Sequence, residues 1–282
     1  MSLISHSVHG DSLAVLSELP TDSFDHAIID PPYNMSKKRG LPWAFSKHVT
    51  MQESWDRFSH DEFFEFCVQW IGETTRVVKP NGNLFLFGTF HNIYLLGFIL
   101  QKMDLKVLNS IIWFKPNAQP NITCRMLTES SEQIVWAANN PSKKATKWTF
   151  NYKVAKELNG GKQMRNVWEF PLTPRRERIA EHPSQKPLAL MKRLVKIGSN
   201  PGDIILDPFA GTGTTGHAAL AEGRRFFLID RENKYIEAQR SRFQDAGFGD
   251  PVKFSTQAEI KHIINELDQS PSPLDPPVDA IA

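Results

Sequence analysis

Short apolar runs alternate along the chain with longer stretches in which apolar residues recur every three or four positions. Phe24 to Ile29 ends in the run Ala27-Ile28-Ile29, and Asn83 to Phe87 reads NLFLF. Ile204 to Leu206 and Phe226 to Ile229 are apolar throughout. Runs of this length bounded by turn residues predict strands buried on both faces. Val107 to Phe114 and Glu132 to Ala137 are further strands. Asp61 to Val78 places Phe63, Phe64, Cys67, Ile71 and Val78 at helical spacing, and Pro80-Asn81-Gly82 stops it. Ile93 to Met103, Leu188 to Ile197, Thr214 to Ala221 and Asn233 to Gln244 are also helices. Buried strands separated by helices predict a doubly wound α/β sheet. No internal repeat interrupts the alternation.

Two segments do. Asn139 to Ala180 holds ten Lys and Arg against three Glu, a net +7, with Trp148, Phe150, Tyr152 and Trp168 among the charges. From Ser255 onward five acids face one Lys, a net −4, and the chain closes on SPSPLDPPVDAIA. Such a composition is expected to bury no core. The expected layout is therefore one domain over 1–254 with a basic insert at about 139–180, followed by a flexible acidic, Pro-rich tail over 255–282.

The remaining composition excludes more than it selects. The 282 residues are 40% hydrophobic and 23% charged, as in a soluble globular protein. The net charge is only +2, so a nucleic-acid surface must come from local clustering. Cys67 and Cys124 lack metal or disulfide spacing, and the nine histidines form no HExxH or similar pattern, so no metal is expected. The first residues lack a basic stretch followed by an apolar one, and the apolar stretch Ile93 to Leu100 is too short to span a bilayer. No membrane association and a cytoplasmic location are expected.

Two turns carry candidate chemistry. Ile204 to Leu220, IILDPFAGTGTTGHAAL, is a strand, a glycine-rich turn and a helix. Gly211 and Gly213 permit a tight turn and close approach of a ligand. Asp230 ends the next strand, nineteen residues after Gly211, where an acid reaches ribose hydroxyls. The turn is not a triphosphate-binding loop, and Asp207 would repel a diphosphate while accepting from an ammonium group. That points to S-adenosylmethionine (AdoMet), whose methionine end carries an amine. The second turn, Asp30-Pro31-Pro32-Tyr33, follows the strand ending at Ile29. A nucleobase amine is a poor nucleophile because its lone pair is delocalised into the ring. Hydrogen bonds from it to the Asp30 carboxylate and the Pro31 carbonyl would localise that pair. Tyr33 can stack on a base extruded from the duplex, and the prolines stiffen the turn. The other Asp-Pro-Pro, at Asp275, has no strand before it and is expected to be a linker.

On these residues the chain resembles the DNA amino-methyltransferases of the β arrangement, in which the DPPY half precedes the AdoMet half. The resemblance runs from about Val8 to Gln244. His9-Gly10-Asp11-Ser12-Leu13 is similar to the motif whose acid lies near the cofactor adenine, which implies a cofactor role for Asp11. His182-Pro183-Ser184-Gln185-Lys186-Pro187 resembles HPTQKP beside the methionine end, implying Ser184 and Lys186. Asp207-Pro208-Phe209 with Gly211 resembles the family's DPFxGSGT turn, and Asp230 matches the ribose acid. The resemblance implies a three-layer αβα, Rossmann-like fold with a seven-stranded, mostly parallel sheet containing one antiparallel strand. It also implies target recognition by the basic insert, with the run Ser36-Lys37-Lys38-Arg39-Gly40 gripping phosphates. The expected activity is site-specific methylation of adenine N6. Cytosine N4 is the alternative, disfavoured because Ser often replaces the first Asp in that group; a silent DNA-binding subunit is a further one. Cytosine C5 chemistry is not expected, since neither cysteine sits in an active-site loop. Double-stranded DNA is the expected partner, in a prokaryotic or phage-encoded, nucleoid-associated protein. A homodimer and a paired restriction endonuclease are further expectations.

Overall fold

The computed structural model describes residues 4–35, 56–121, 124–141, 143–180, 184–248 and 251–268. The run from Ser36 to Gly40, His182, Pro183 and the second Asp-Pro-Pro lie outside the described residues. The strands are β1 (Ser5–His9), β2 (His26–Ile29), β3 (Asn83–Gly88), β4 (Leu105–Phe114), β5 (Ser131–Pro141), β6 (Val167–Glu169), β7 (Ile204–Asp207), β8 (Arg225–Asp230) and β9 (Val252–Thr256). The helices are α1 (Ser12–Glu18), α2 (His60–Val77), α3 (Ile93–Lys102), α4 (Tyr152–Leu158), α5 (Leu188–Gly198), α6 (Thr214–Ala221), α7 (Asn233–Asp245) and α8 (Ile260–Asp268).

The strands form one sheet in the order β6-β4-β5-β3-β2-β7-β8-β1-β9. Only β5 is antiparallel to its neighbours. Alternate side chains of the apolar strands enter two separate cores. Ala27 and Ile29, Leu84 and Leu86, and Phe227 and Ile229 pack with α1, α2, α3 and α8 on one face. Ile28, Phe85 and Phe87, and Phe226 and Leu228 pack with α4, α5, α6 and α7 on the other. This is the expected three-layer αβα architecture with one antiparallel strand.

Among the described residues the strand count differs from expectation: the sheet has nine strands, not seven, because β6 and β9 extend the two edges. β6 spans three residues of which only Trp168 is buried, so no period is visible. β1 reads SHSVH yet is buried. Its serines find partners inside the fold: the Ser7 hydroxyl donates to Gln239 Oε1 at 2.6 Å, and Ser5 Oγ accepts from the Phe226 amide at 3.2 Å. Hydropathy alone cannot reveal such a strand.

The expected boundary after residue 254 is also displaced. Ser255 lies within β9, and α8 inserts Ile260 and Ile263 into the core beside α1. Glu266 of α8 pairs with Lys253 Nζ at 2.5 Å and with His6 Nε2 at 3.7 Å, tying the helix to the β1–β9 edge. The acids counted as tail charge thus belong in part to an amphipathic helix.

The basic insert is the third correction. β5 runs against its neighbours, so its end, paired as Asn83↔Ala138, lies where the parallel strands begin. Lys106 Nζ donates to the Ala145 carbonyl, the Asn83 side chain donates to Thr149 O, and Asn151 Nδ2 donates to Lys196 O at the end of α5. Residues 143–151, with Lys143, Lys144 and Lys147, therefore sit at the N-terminal ends of the strands. Only after β6 does the chain return to the opposite end, carrying Arg175, Arg176 and Arg178.

Ending the chain after Asp268 is expected to leave the melting temperature unchanged. Ending it after Gln257 exposes the surfaces that Ile260 and Ile263 cover, each worth about 1.5–3 kcal/mol. The melting temperature of that variant, read by circular dichroism, is expected to fall by roughly 5 °C or more.

Candidate active site

β2 and β7 are parallel neighbours, with His26 opposite Ile205 and Ala27 opposite Leu206. β2 continues outward to β3 on one side and β7 to β8 on the other, so the two crossovers diverge. Open α/β sheets bind ligands at such a divergence, beyond the carboxyl ends of the strands. Asp30 leaves β2 there, and Asp207 closes β7 there. The crevice is walled by the whole turn Asp30-Pro31-Pro32-Tyr33 and by Asp11, Ser184, Lys186, Asp207, Phe209, Gly211 and Asp230. Gly213 alone among the expected residues lies behind the wall.

The glycine turn is held from beneath. Gly211 and Gly213 have positive φ, 50° and 76°. A Cβ on Gly213 would lie 2.8 Å from Gln239 Cγ and 3.2 Å from Phe243 Cζ. Buried Gln239 donates to the Gly211 carbonyl at 2.8 Å, and buried Arg242 donates to the Thr212 carbonyl at 2.6 Å. These two α7 residues fix the turn, and the sequence reading missed them. They carry no motif of their own; only their periodic placement on a helix following Asp230 pointed inward.

Two acids flank the turn. Asp230 accepts from the Gly211 amide at 2.8 Å and the Glu232 amide at 2.9 Å. Burial nonetheless outweighs these bonds and raises its pKa to about 6. Asp207 accepts from the Thr215 hydroxyl at 2.5 Å and the Phe209 amide at 3.1 Å. Burial dominates again, with the charges of Asp30 and Asp230 adding to it, and lifts Asp207 to about 7. Phe209 packs its ring edge-on against Trp70, centroids 5.7 Å apart. Asp11 accepts from the Leu13 and Ala14 amides, both at 3.1 Å, as the N-cap of α1. It therefore both starts that helix and faces the crevice, and Ser12 beside it donates to the Pro208 carbonyl at 2.5 Å.

The DPPY turn sits opposite. The Tyr33 hydroxyl donates to Asp30 Oδ1 at 2.6 Å. Asn34 follows at φ 56°, and its amide and that of Met35 donate to buried Asp56, at 2.5 and 2.8 Å. Lys186 was expected beside the cofactor. Its ammonium lies within the crevice, 2.6 Å from Asp30 Oδ2 and 3.4 Å from Glu132 Oε2. Glu132 also meets Lys115 Nζ at 3.4 Å. Burial pushes the Asp30 carboxyl upward, and the neighbouring Lys186 opposes this. Burial alone would lower Lys186, but Asp30 and Glu132 together raise it. The lysine is the member of the pair that keeps its proton, and Asp30 is the member that titrates. Burial and the two carboxylates hold Tyr33 far above the phenol range, so it stays a donor.

Asp56, Lys115 and Glu132 were not foreseen, because each is a lone charged residue on an element read for hydropathy. Gln185 was foreseen only as a motif letter. Its side chain donates to Glu177 O at 2.7 Å and accepts from the Ile179 amide at 3.1 Å, joining the segment after β6 to the crevice. Among the described residues no cluster of His, Cys, Asp and Glu could hold a metal ion.

Residues 24–241 match the family model described as DNA methylase. The chain is 42% identical over 240 residues to the type II methyltransferase M2.DpnII of Streptococcus pneumoniae, across 84% of this chain and 88% of that protein. It is 39% identical over 238 residues to the type II methyltransferase M2.LlaDCHI of Lactococcus lactis subsp. cremoris, across 83% and 87%. Among solved structures, that of the M1.HpyAVI–SAM complex is similar with a TM-score of 0.63 and 27% identity, over 84% of this chain and 98% of that one.

Gly213→Ala is expected to destabilise the fold by ~2–4 kcal/mol, from left-handed strain plus the clash with Gln239. Gly202→Ala has the same strain at φ +89° but meets nothing within 4 Å, so it isolates the strain at about 1–2 kcal/mol. Urea unfolding of the two variants measures the difference.

Proposed function

The chain belongs to the DNA methylase family, and from its crevice we propose that it methylates adenine N6 at a specific site in duplex DNA. One observation carries this reading: the Asp30–Tyr33 turn and the Asp207–Gly211 turn open from adjacent strands into a single crevice. The donor set fits AdoMet. Two buried carboxylates whose pKa values stand at about 7 and about 6 border the glycine turn, a setting hostile to diphosphate and suited to an ammonium and to ribose hydroxyls. Asp207 would accept from the amine and Asp230 from the ribose hydroxyls, and Phe209 and Asp11 line the crevice with them.

When bound, AdoMet supplies an electrophilic methyl group on a sulfonium centre. The chain's own residues supply position and charge. Asp30 and the Pro31 carbonyl accept the two N–H bonds of the target amine, which localises its lone pair, while the Tyr33 ring stacks on the extruded base. As the amine nitrogen takes the methyl group, with the sulfonium's S–C bond breaking to leave a neutral thioether, the nitrogen becomes positive and would give up one proton, for which Asp30 is the adjacent base. Asp30 in place of Ser favours adenine over cytosine N4. The type II designation of both relatives supports a place in a restriction–modification system, with a paired endonuclease and a cytoplasmic, nucleoid-associated location. A homodimer rests on the family resemblance. Within the basic insert, Arg175, Arg176 and Arg178 lie toward the crevice end of the sheet and are the DNA-facing charges, whereas Lys143, Lys144 and Lys147 lie at the opposite end.

Incubation with duplex DNA and AdoMet, followed by nucleoside analysis, is expected to yield N6-methyl-2′-deoxyadenosine. N4-methylcytosine as the product would decide for the alternative. Asp30→Asn is expected to cut turnover by at least ~100-fold while AdoMet still binds.

A pH dependence follows from Asp207. An ammonium ligand favours the ionised carboxylate, so binding is strongest above pH about 7 and weakens as Asp207 takes up its proton. The Kd for AdoMet, measured by calorimetry, is expected to rise about tenfold per pH unit below that point. Asp207→Asn is expected to bind weakly and to flatten this limb.

A further inference from the structure

Asp30 has a problem that the proposed chemistry makes acute. Both of its oxygens are already engaged: Tyr33 OH donates to Oδ1 and Lys186 Nζ to Oδ2, each at 2.6 Å. An ammonium and a phenol are strong donors, and a neutral nucleobase amine is a weak one. Each Asp30 oxygen keeps a second lone pair for the amine, but its full pull on that weak donor is available only as the two strong donors move to another acceptor, in a buried site where an unsatisfied charge costs several kcal/mol.

Glu132 is that acceptor. It lies on β5, paired with Trp113 of β4 and one residue before Gln133, which pairs with Gly88 at the end of β3. The antiparallel strand thus projects a carboxylate under the crevice floor from the side opposite the glycine turn. Its Oε2 stands 3.4 Å from Lys186 Nζ and 3.4 Å from Tyr33 OH. Both donors are therefore less than about 1 Å short of full hydrogen bonds to it. Its other oxygen faces Lys115 Nζ at 3.4 Å. Lys115, Glu132, Lys186 and Asp30 form a chain of alternating charge, two positive and two negative. The Lys186 ammonium also lies 5.2 Å from the Tyr33 ring centroid and 5.5 Å from that of Phe87, which confines it to the line between the two carboxylates.

We propose that Glu132 is a positioning residue of the methyl transfer, a second acceptor onto which Lys186 and Tyr33 shift when the target amine takes their place on Asp30. The shift conserves charge pairing throughout. Lys186 remains between two carboxylates, and Asp30 exchanges two internal donors for the amine without being left bare. Once Asp30 has accepted the proton released by the methylated amine, its hold on Lys186 weakens and Glu132 keeps the ammonium. The inference rests on the reading of Asp30 as the acceptor of the target amine.

The charged and titratable groups facing Asp30 are Lys186, Glu132, Tyr33 and, across the crevice, Asp207, with Lys115 behind Glu132. Glu132 raises the Asp30 pKa and Lys186 lowers it. Removing the Glu132 charge while Lys186 stays must therefore move Asp30 downward.

Glu132→Gln keeps the shape and removes the charge. Turnover on duplex DNA is expected to fall at least tenfold, with the Kd values for AdoMet and for DNA within twofold of wild type. The acid limb of the kcat–pH profile is expected to move to lower pH. Wild-type turnover with an unmoved acid limb would overturn the proposal, as would a loss of turnover matched by lost AdoMet affinity, which marks a structural role. If Glu132→Gln does not fold, Glu132→Asp is the second variant: it keeps the charge and shortens the reach. It is expected to lose turnover with the acid limb in place, and full turnover there would equally refute the shift. Failure of the underlying reading looks different, since the wild type itself would then leave adenine N6 unmethylated.

Discussion

The parallel pairing of β2 with β7 is the contact on which the site depends. The two strands are far apart in the chain, and each is four residues long. A slip of one residue would turn every side chain to the opposite layer and part the two catalytic turns. The register is pinned at the other end of the strands by side chains. Asp25 bonds both ways to Ile204, its amide to the carbonyl at 3.1 Å and its carboxylate to the amide at 2.8 Å. Lys79 neutralises it at 2.6 Å. His26 spans from Asp203 Oδ2 at 3.0 Å to the Asn83 amide at 2.9 Å, and so locks β2 to β7 and to β3 together. Polar residues at the foot of the sheet thus set the spacing of polar residues at its head. Continuous apolar strands could not do this, because hydrophobic contact is not directional.

The same crevice concentrates negative charge. Asp207 and Asp230 are buried there and Asp30 is partly buried, and all three are pushed upward by loss of solvent. Each is stabilised locally, by amides, a hydroxyl or Lys186, so the fold tolerates them. The balance nevertheless favours a positively charged ligand, which returns to Asp207 the counter-charge its burial removed. Substrate binding and the relief of a buried electrostatic cost are one process in this site. Lys186 is ion-paired with Asp30 and lines the crevice that both turns share.

Much of this was legible in the chain. The apolar strands β2, β3, β7 and β8 and the helices after them announced an αβα sheet, and two turns with acids at strand ends announced where it would work. Three kinds of feature were not. β1 is polar in letters and buried in fact, because Ser5 and Ser7 find partners only after folding. α8 looked like solvated tail because its apolar face was diluted by acids that pair with β1 and β9. Glu132, Lys115 and Asp56 became site residues through neighbours 17 or more positions away, and no local pattern encodes such contacts.

The basic segment shows why charge and aromatic content mislead when separated from topology. Trp148 and Trp168 pack into the core under α5, Lys106 covers Trp148 at 4.8 Å, and Arg193 covers Trp168 at 5.3 Å. Trp148 and Trp168 help close the edge of the sheet, whereas Phe150 and Tyr152 stay exposed. Because β5 is antiparallel, residues 143–151 are carried to the foot of the sheet, the full length of the strands away from Asp30. On the function proposed above, a duplex presenting a base to Asp30 would lie across the loops at the carboxyl ends: the one between β4 and β5, and the one from β6 to α5. The second is braced by Gln185 and Glu177, the latter accepting from the Leu188 amide at 3.2 Å at the start of α5. That bracing would tie recognition to Lys186, the next residue after Gln185, and through it to Asp30.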